Sequence, residues 1–552
     1  MTAPPDTMAS LVRARAERSP DDVALCTRRD GRWTPCTWAS LWEDARRVAS
    51  GLAAAGLRPG DHALFLLPEV ELAVPMLFGA WALGVVPAMV GVPFRLTDVA
   101  RFVDGLRDTA RRLDARALVT SRALAAFATD AEALPVIAAE DLLAHDVAPF
   151  AVARASAAPA LIQPTSGSTG RPRGVVLAHD RLLTHVACVS AALPADASSV
   201  GLSWLPLHHD MGLVGGLLYP LVNGFVVHLL PPADFRARPF SWLEAMSELR
   251  ATMTAAPPSA YAVAARLAPR AAAAGLCFDA WACAMVGAEP VRPAALRRFA
   301  EGFAPLGFRA EAFFPVYGLA EATVAVTFPR PLAPTRVDVV DRDAIEREGR
   351  AAPCDASARA MEFVSVGAPI PRTEVRITAG DGGALPERRV GEIVVRSPSL
   401  MVGYHDEPEA TAAALRDGWL HTGDLGYLAD GELFVTGRVK DVILRGGHGI
   451  LPTAVEEAAS EVEGVRAGCV AAVGVPDEDT ERCVVLAETH EAPSAHAALE
   501  ARVRGALEAR GLFVDRVVLL PPGALPRTTS GKLRRRAVAD ALAAGRALEA
   551  AE

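Results

Sequence analysis

The chain has 552 residues, a length that predicts roughly three or four compact units and excludes a single small binding module. Hydrophobic residues make up 51% and charged residues 22%, which is typical of globular domains with large cores and not of a disordered chain. The formal net charge of -9 has the wrong sign for a protein that neutralises many phosphates, so we do not expect nucleic acid as a main partner.

The cysteines and the N-terminus both favour an intracellular protein. The 8 cysteines are scattered, never fall as C-x-x-C, and are too sparse for a disulfide framework or a thiolate metal site. The first 22 residues contain no apolar core of the kind that a secretory signal needs. We therefore expect reduced thiols and a cytoplasmic location.

An uncharged stretch at 72–94 is long enough to cross a bilayer. Gly84, Pro87, Gly91 and Pro93 interrupt its second half, however, and proline and glycine break a continuous helix. The stretch therefore favours a buried helix followed by a short buried strand, and we expect no membrane span.

Apolar, β-branched runs alternate with Ala-, Leu- and Arg-rich helical stretches through the first half of the chain. This alternation predicts α/β layers with largely parallel sheets. The predicted strands are 63–67, 85–90, 117–120, 224–230 and 281–286.

The pattern changes after about residue 378 to short strands separated by turn signals. A strand is predicted at 391–397, and Asp430-Gly431 predicts a tight hairpin, because these residue types tolerate positive φ angles. A further set of strands and helices follows Gly437. We therefore predict a large N-terminal domain at 1–436, which ends in a small β-rich subdomain, and a smaller, mobile α+β domain at 437–552.

The segment 161–177, LIQPTSGSTGRPRGVVL, combines small and hydroxylated residues with two arginines. Glycines let several backbone N–H groups turn toward one point, and the hydroxyls add donors, so the loop suits phosphate oxygens. It does not match the G-x-x-x-x-G-K-[ST] loop of many ATPases. Taken by itself, such a loop is also typical of a flexible linker.

Further motifs follow along the chain: LPLHHDMGL (205–213), GAEPV (287–291), YGLAEAT (317–323), GWLHTGDLG (418–426), GRVKD (437–441) and PRTTSGKLRRR (526–536). In this order, together with TSGSTGRPRG (165–174), they resemble the acyl-adenylate-forming superfamily. WLPLHHDMGLVGG, FFPVYGLAEATVAVTF and DGELFVTGR are most similar to the fatty acyl-AMP ligases within it.

The resemblance implies a two-step reaction. A carboxylate attacks the α-phosphorus of ATP to give acyl-AMP and pyrophosphate, and a thiol then displaces AMP. Because two anions must meet, the site needs a phosphate cradle, a divalent cation, a positioned cation for the α-phosphate and groups that hold the nucleoside. ATP and Mg²⁺ are the implied cosubstrate and cofactor, and a fatty acid is the implied substrate.

The resemblance also implies an ATP site. Asp424 matches the carboxylate that accepts hydrogen bonds from the ribose, Arg438 matches an arginine beside it, and Arg173 stands where the family most often has lysine. Other residues match the phosphate loop and the adenine side. These are Thr165, Ser166, Gly167, Ser168, Thr169, Gly170, Gly287, Ala288, Glu289, Tyr317 and Gly318.

The remaining implied roles concern catalysis and the acyl group. Glu321 matches the Mg²⁺ ligand, assisted by Thr169, and Lys532 matches the lysine that bridges the carboxylate and the α-phosphate. His209 matches a histidine at the acyl pocket, where Met211 and Leu213 are further expected members. His209 either positions the carboxylate, gates the thiol tunnel or is a structural partner of Asp210.

The identity of the thiol remains open in the sequence. Val340–Pro353 resembles an insertion of fatty acyl-AMP ligases, which favours the phosphopantetheine of an acyl carrier protein. Arg445–Pro452, RGGHGILP, instead resembles the corresponding turn of enzymes that use free CoA. A non-catalytic homologue that binds nucleotide or acyl chains is a further alternative, but the joint presence of Lys532, Glu321 and Asp424 speaks against it. A nucleic-acid-binding basic tail conflicts with the net charge.

Overall fold

The computed structural model describes residues 5–92, 99–128, 134–165, 173–357, 359–380, 382–445, 448–477, 480–528 and 532–546. The helices that precede the small domain are Met8–Arg18, Trp38–Ala54, Val70–Leu83, Val99–Arg112, Arg122–Ala128, Ala139–Leu143, His179–Ala192, Tyr219–Asn223, Pro232–Ala237, Phe240–Glu248, Pro258–Ala265, Ala268–Ala273, Pro293–Phe303, Arg342–Glu348 and Pro408–Ala414. Met211–Leu218 forms a π-helix, and short 3₁₀ turns lie at Ala304–Leu306, Ala310–Ala312 and Ala320–Ala322.

Two sheets, each parallel over most of its width, form the large domain. The strands of one, in spatial order, are Phe313–Pro315, Cys283–Val286, Met253–Ala256, Gly201–Ser203, Val227–Leu229, Val23–Arg29 and Arg32–Thr37. Those of the other are Gly403–Tyr404, Arg173–Ala178, Pro159–Thr165, Val86–Met89, His62–Leu66, Ala115–Thr120 and Val136–Ala138. Helices cover the sheets, and the predicted α/β fold class is confirmed.

The uncharged stretch forms a helix, Val70–Leu83, followed by the strand Val86–Met89. The helix packs against Trp38–Ala54, and an added Cβ at Gly79 would lie 2.4 Å from the Cβ of Val48, so only glycine permits this approach. Within the described part of the chain, no helix combines the length and apolarity that crossing a bilayer requires.

The β-rich subdomain is an antiparallel sheet. Its strands, in spatial order, are Glu374–Thr378, Gly391–Arg396, Trp419–Ala429 and Leu415–Arg416, with Glu432–Arg438 paired to Trp419–Ala429. The predicted hairpin is confirmed, because Asp430 and Gly431 have φ angles of 52° and 76° at the turn. The last strand continues to Arg438, and a 3₁₀ turn, Val439–Asp441, leads into the small domain.

Shorter strand pairs complete the large domain. They are Thr327–Phe328 with Ala368–Pro369 and Val337–Asp341 with Ala360–Val364. The helix Arg342–Glu348 lies between the two strands of the second pair in sequence, and the segment shares a hydrophobic cluster with neighbouring elements. Val340 and Ile345 pack there against Phe434 of the neighbouring sheet and Leu451 of the small domain.

The small domain is an α+β unit. Its sheet contains Val465–Asp477, Thr480–Thr489 and Arg516–Leu520, preceded by the strand pair Ile443–Arg445 and His448–Ile450. Its helices are Pro452–Ser460, His496–Ala509 and Arg535–Ala543, with a 3₁₀ turn at Pro493–Ala495. Val503 and Leu507 are fully buried in its core, which is separate from the cores of the large domain.

Candidate active site

A cavity of about 2270 Å³ is lined by side chains of both domains. Parallel strands of the first sheet end at its edge, since Ala288, two residues after Cys283–Val286, and Tyr317, two residues after Phe313–Pro315, both line it. Crevices at the carboxyl ends of parallel strands are the usual ligand sites of α/β folds. Lys532 reaches the same cavity from the small domain, so the site is completed by two domains.

The residues expected near adenine form a wall of close backbone contacts. A Cβ at Gly318 would lie 1.6 Å from the carbonyl oxygen of Val324, and one at Gly287 would lie 2.8 Å from Val316 Cγ2. Ala288 adopts a φ of 70°, in the left-handed region that side chains disfavour. Glu289 is half-buried, and both of its carboxylate oxygens accept hydrogen bonds from Ser259. Both glycines are therefore explained by packing of the protein against itself, and Ala288, Glu289, Tyr317 and Gly318 line the cavity.

Asp424 lies at the centre of a buried polar cluster. Tyr317 Oη donates a hydrogen bond to its Oδ2 at 2.7 Å, and Arg438 Nε lies 2.9 Å from its Oδ1. Burial and the Asp424 charge raise the pKa of Tyr317 well above its usual value, so the phenol remains a donor. A carboxylate has about four acceptor positions, so both oxygens of Asp424 can still accept from two neighbouring ribose hydroxyls.

A β-bulge accounts for the position of Asp424. Glu392 is paired with Leu425 and Val394 with His421, so three residues of one strand face a single residue of the other. Gly423 allows this with a φ of 70°. Glu392 holds the bulge, because its carboxylate contacts His421 Nδ1 at 2.9 Å and accepts from the Gly423 N–H at 3.1 Å.

Glu321 lies on the opposite wall and is linked to a residue that sequence reasoning missed. Tyr404 Oη donates to Glu321 Oε1 at 2.9 Å. The guanidinium of Arg173 stacks 5.1 Å above the Tyr404 ring, and its Nε lies 3.2 Å from Glu407 Oε2. Burial raises the pKa of Glu321, which the Tyr404 hydrogen bond opposes. Tyr404 therefore connects the candidate metal ligand to the cation of the phosphate loop.

Asp210 interacts with His209 and Lys532, and all three residues line the cavity. His209 Nδ1 lies 2.7 Å from Asp210 Oδ1, which also accepts from the Met211 N–H at 2.7 Å. Burial raises the pKa of Asp210, but His209 and Lys532 outweigh it and lower the pKa overall. A buried carboxylate thus keeps its charge beside the lysine. Asp210 had no role in the sequence-based site beyond its contact with His209.

Lys440, in the turn between the domains, also lines the cavity. Partial desolvation, followed by repulsion from Arg438, lowers its pKa. The charged form of a lysine in such a place is stabilised by a nearby anion, and the phosphates of a nucleotide would supply one.

One residue that the sequence predicted for the acyl pocket does not line the cavity. Met211 lines the cavity, whereas Leu213 is fully buried in the hydrophobic core, and Val214 and Gly215 line the wall in its place. The reason is the helical spacing, because residues three and four positions after Met211 share its face, whereas Leu213, two positions after it, points to the other side.

Part of the predicted phosphate loop lies outside the described residues. Ser166, Gly167, Ser168, Thr169 and Gly170 belong to this part. Gly446 and Gly447, in the predicted thiol-transfer turn of the small domain, also lie outside the described residues. The flanking strands place the ends of the loop, since Thr165 pairs with Arg173 and its hydroxyl donates to the Arg173 carbonyl at 3.3 Å. Both Thr165 and Arg173 line the cavity.

Comparison with known proteins agrees with this arrangement. The family described as AMP-binding enzyme matches residues 12–405. A long-chain-fatty-acid–AMP ligase, FadD26 of Mycobacterium marinum, is 31% identical over 572 residues, 96% of each chain. A Caulobacter vibrioides protein named "Putative acyl-CoA synthetase" is 34% identical over 516 residues, covering 92% of this chain and 90% of that one. A structure from a study of fatty acyl-adenylate ligases of E. coli and L. pneumophila superimposes with a TM-score of 0.92 at 29% identity, covering 98% of both chains.

The chain therefore belongs to the AMP-binding enzyme family. It is an adenylate-forming ligase, and the predicted superfamily is confirmed. Members of this family use ATP.

Proposed function

We propose that the enzyme converts a fatty acid and ATP into acyl-AMP and pyrophosphate, and then transfers the acyl group to the phosphopantetheine thiol of an acyl carrier protein in the cytoplasm. The observation that carries the first step is the meeting of Lys532, Glu321 and Asp424 around one cavity that continues into an apolar region. A nucleotide held at Asp424 and an acid in the apolar region would meet between Glu321 and Lys532.

The chain's own groups suit the chemistry of adenylation. A carboxylate oxygen bonds to the α-phosphorus as the bond to pyrophosphate breaks, and negative charge builds up on the α-phosphate oxygens. The Lys532 ammonium is a compact charge on a flexible stem, suited to neutralising that charge. Asp424, Tyr317 and Arg438 would orient the nucleoside, and His209, which lines the same cavity, would meet the acid's carboxylate.

Glu321 fits Mg²⁺ as its ligand from the described residues, with Thr169 as the proposed partner in the phosphate loop. Its carboxylate is a hard oxygen donor oriented by Tyr404, and Mg²⁺ commonly takes one or two carboxylates together with substrate phosphates and water. The described residues contain no cluster of three metal-ligating side chains, which agrees with such an incomplete protein shell. When bound, Mg²⁺ would neutralise phosphate charge.

The inserted segment supports a carrier protein as the acceptor. Arg342, with only 5% of its surface exposed, donates to the Gly511 carbonyl of the small domain at 3.4 Å, and Ile345 shares a buried cluster with Leu451. These contacts tie the small domain to the large one, which disfavours a wide reorientation for free CoA. An acyl carrier protein instead binds the enzyme through its own surface, and that binding free energy helps to bring its thiol into the site.

The experiment combines the full-length enzyme with ATP and carboxylic acids from acetate to octadecanoate, with benzoate as the aromatic control. Pyrophosphate release only with fatty acids, and acyl transfer only to phosphopantetheinylated carrier protein, is the expected result. Carrier protein without phosphopantetheine is the matched control. Release with benzoate or acetate alone would contradict the substrate class.

Free CoA is the second candidate acceptor. The Caulobacter relative is named as an acyl-CoA synthetase, and the Arg445–Pro452 motif resembles the turn of CoA-dependent enzymes. Acyl-CoA formation at a rate comparable to carrier acylation would favour this alternative while leaving the adenylation step intact.

A further inference from the structure

One arm of the cavity runs between two helical segments and away from the charged groups. Val186 and Val189 of the helix His179–Ala192 form one wall, and Met211, Val214 and Gly215 of the π-helix form the other. The near end lies by the active site, because His185 accepts from the Ala325 N–H at 3.2 Å, four residues after Glu321.

The far end of the arm is closed by side-chain contacts between the two walls. Tyr219 Oη donates to the Leu193 carbonyl at 2.5 Å, and both residues line the cavity. Behind them, Asn223 Nδ2 donates to Ser190 Oγ at 2.9 Å. Because the Tyr219 hydroxyl is already engaged and its neighbours are apolar, this end suits an unsubstituted methyl end of a chain.

Gly215 differs from the glycines around it. A Cβ added at Gly215 meets nothing within 4 Å, whereas one at Gly212 would lie 2.3 Å from the Pro206 carbonyl oxygen and one at Gly216 would lie 2.5 Å from Ser203 Oγ. Packing therefore explains Gly212 and Gly216 but not Gly215. The space beside Gly215 belongs to the cavity, so a side chain there would project into the arm.

We propose that Gly215 and Tyr219 set the length of the acyl chain, Gly215 by leaving the side wall open and Tyr219 by closing the far end. This inference rests on the proposed activation of a fatty acid and specifies which acids fit: unbranched chains long enough to pass Gly215 and short enough to end at Tyr219.

The test compares Gly215→Leu with wild type in acyl-AMP formation from hexanoate, dodecanoate and hexadecanoate. The added side chain takes the space of several methylenes, and each methylene excluded from an apolar pocket costs about tenfold or more in specificity. We expect kcat/KM for dodecanoate and hexadecanoate to fall at least about tenfold relative to hexanoate. Gly505→Leu is the matched control, because Gly505 also has open space in a helix but does not line the cavity.

Variants of Tyr219 give an independent test of the same proposal. Tyr219→Ala removes the end wall, so the preference should move toward longer chains, while Tyr219→Phe keeps the ring and should retain the wild-type profile. A second readout does not depend on turnover. The shift in melting temperature on binding non-hydrolysable acyl-adenylate analogues of the same chain lengths is measured for each variant. If Gly215→Leu does not fold, Gly215→Ala with the longest acids decides the same question.

The outcomes separate the two proposals. Unchanged length profiles in Gly215→Leu and Tyr219→Ala, with an active wild type, would overturn the inference alone. A wild type that releases pyrophosphate with no fatty acid of any length would overturn the proposed substrate class instead.

Discussion

Arg173 makes contacts that a lysine at the same position could not make together. The resemblance implies that lysine is usual at this position, but a guanidinium can stack on an aromatic ring and pair with a carboxylate at the same time. Here it does both, with the Tyr404 ring and Glu407. The hydroxyl of the same tyrosine orients Glu321, so one side chain joins two charged parts of the phosphate site.

Tyr404→Phe should therefore weaken Mg²⁺ use while leaving the fold intact. Loss of a hydrogen bond to a charged group costs about 1.5 to 3 kcal/mol, so the half-saturating Mg²⁺ concentration should rise roughly tenfold or more. Pyrophosphate release measured across Mg²⁺ concentrations tests this. Tyr427→Phe is the control, since it removes a comparable buried hydrogen bond, to Asp338, away from the cavity. An equal Mg²⁺ dependence in both variants would contradict a positioning role for Tyr404.

We expect protonation of Glu321 to govern the loss of activity at low pH. Burial raises the pKa of this carboxyl above its ordinary value of 4.5, so protonation removes the Mg²⁺ ligand at a higher pH than for an exposed glutamate. The Tyr404 hydrogen bond stabilises the ionised form, so Tyr404→Phe should move the acid limb to still higher pH. The pH dependence of the Mg²⁺ half-saturation in wild type and variant measures both effects, and a shift to lower pH would contradict them.

At the scale of elements, sequence periodicity predicted those strands and turns whose formation depends on a few neighbouring residues. The apolar runs became strands at His62–Leu66 and Ala115–Thr120, and Asp430-Gly431 formed its hairpin, because alternation and turn chemistry act over a few residues. The motifs also identified Asp424 and Tyr317, which meet across 107 residues of sequence. That meeting followed only from the family resemblance.

One feature was readable from the sequence and one was not. Residues three and four positions after Met211 share its helical face, so the spacing alone places Leu213 away from the cavity. Tyr404 acts on Glu321 from 83 residues away, because the strand Gly403–Tyr404 pairs with the strand that follows the phosphate loop. No spacing in the sequence encodes such long-range pairing.

The inserted element should restrain the small domain. Arg342→Ala removes the contact with the Gly511 carbonyl, so we expect faster proteolysis in the turn Val439–Asp441 and more acyl transfer to free CoA. Arg359→Ala is the matched control, because Arg359 pairs with Asp343 on the exposed side of the same segment. Equal proteolysis of both variants would indicate that this contact does not hold the small domain.

At the scale of the whole molecule, the active site exists only where the two domains meet. Most of the groups proposed to bind the nucleotide belong to the large domain, while Lys532 enters the cavity from the small domain and helps to lower the pKa of Asp210. A lysine delivered in this way can serve one half-reaction and be withdrawn for the other if the small domain moves about the turn at Lys440. The thiol would then take the space that Lys532 vacates.

Lys532→Ala should accordingly abolish adenylation but retain acyl transfer from supplied acyl-AMP. Loss of one positioned charge at the transition state costs about a hundredfold to a thousandfold in rate, whereas a step that does not use the lysine is unaffected. Pyrophosphate release reports the first half-reaction and carrier acylation from synthetic acyl-AMP the second. Arg546→Ala, an exposed cation near the same end of the chain and away from the cavity, is the control. A parallel fall in both half-reactions would mean that Lys532 serves a single arrangement of the domains, because a group that leaves between steps cannot limit both.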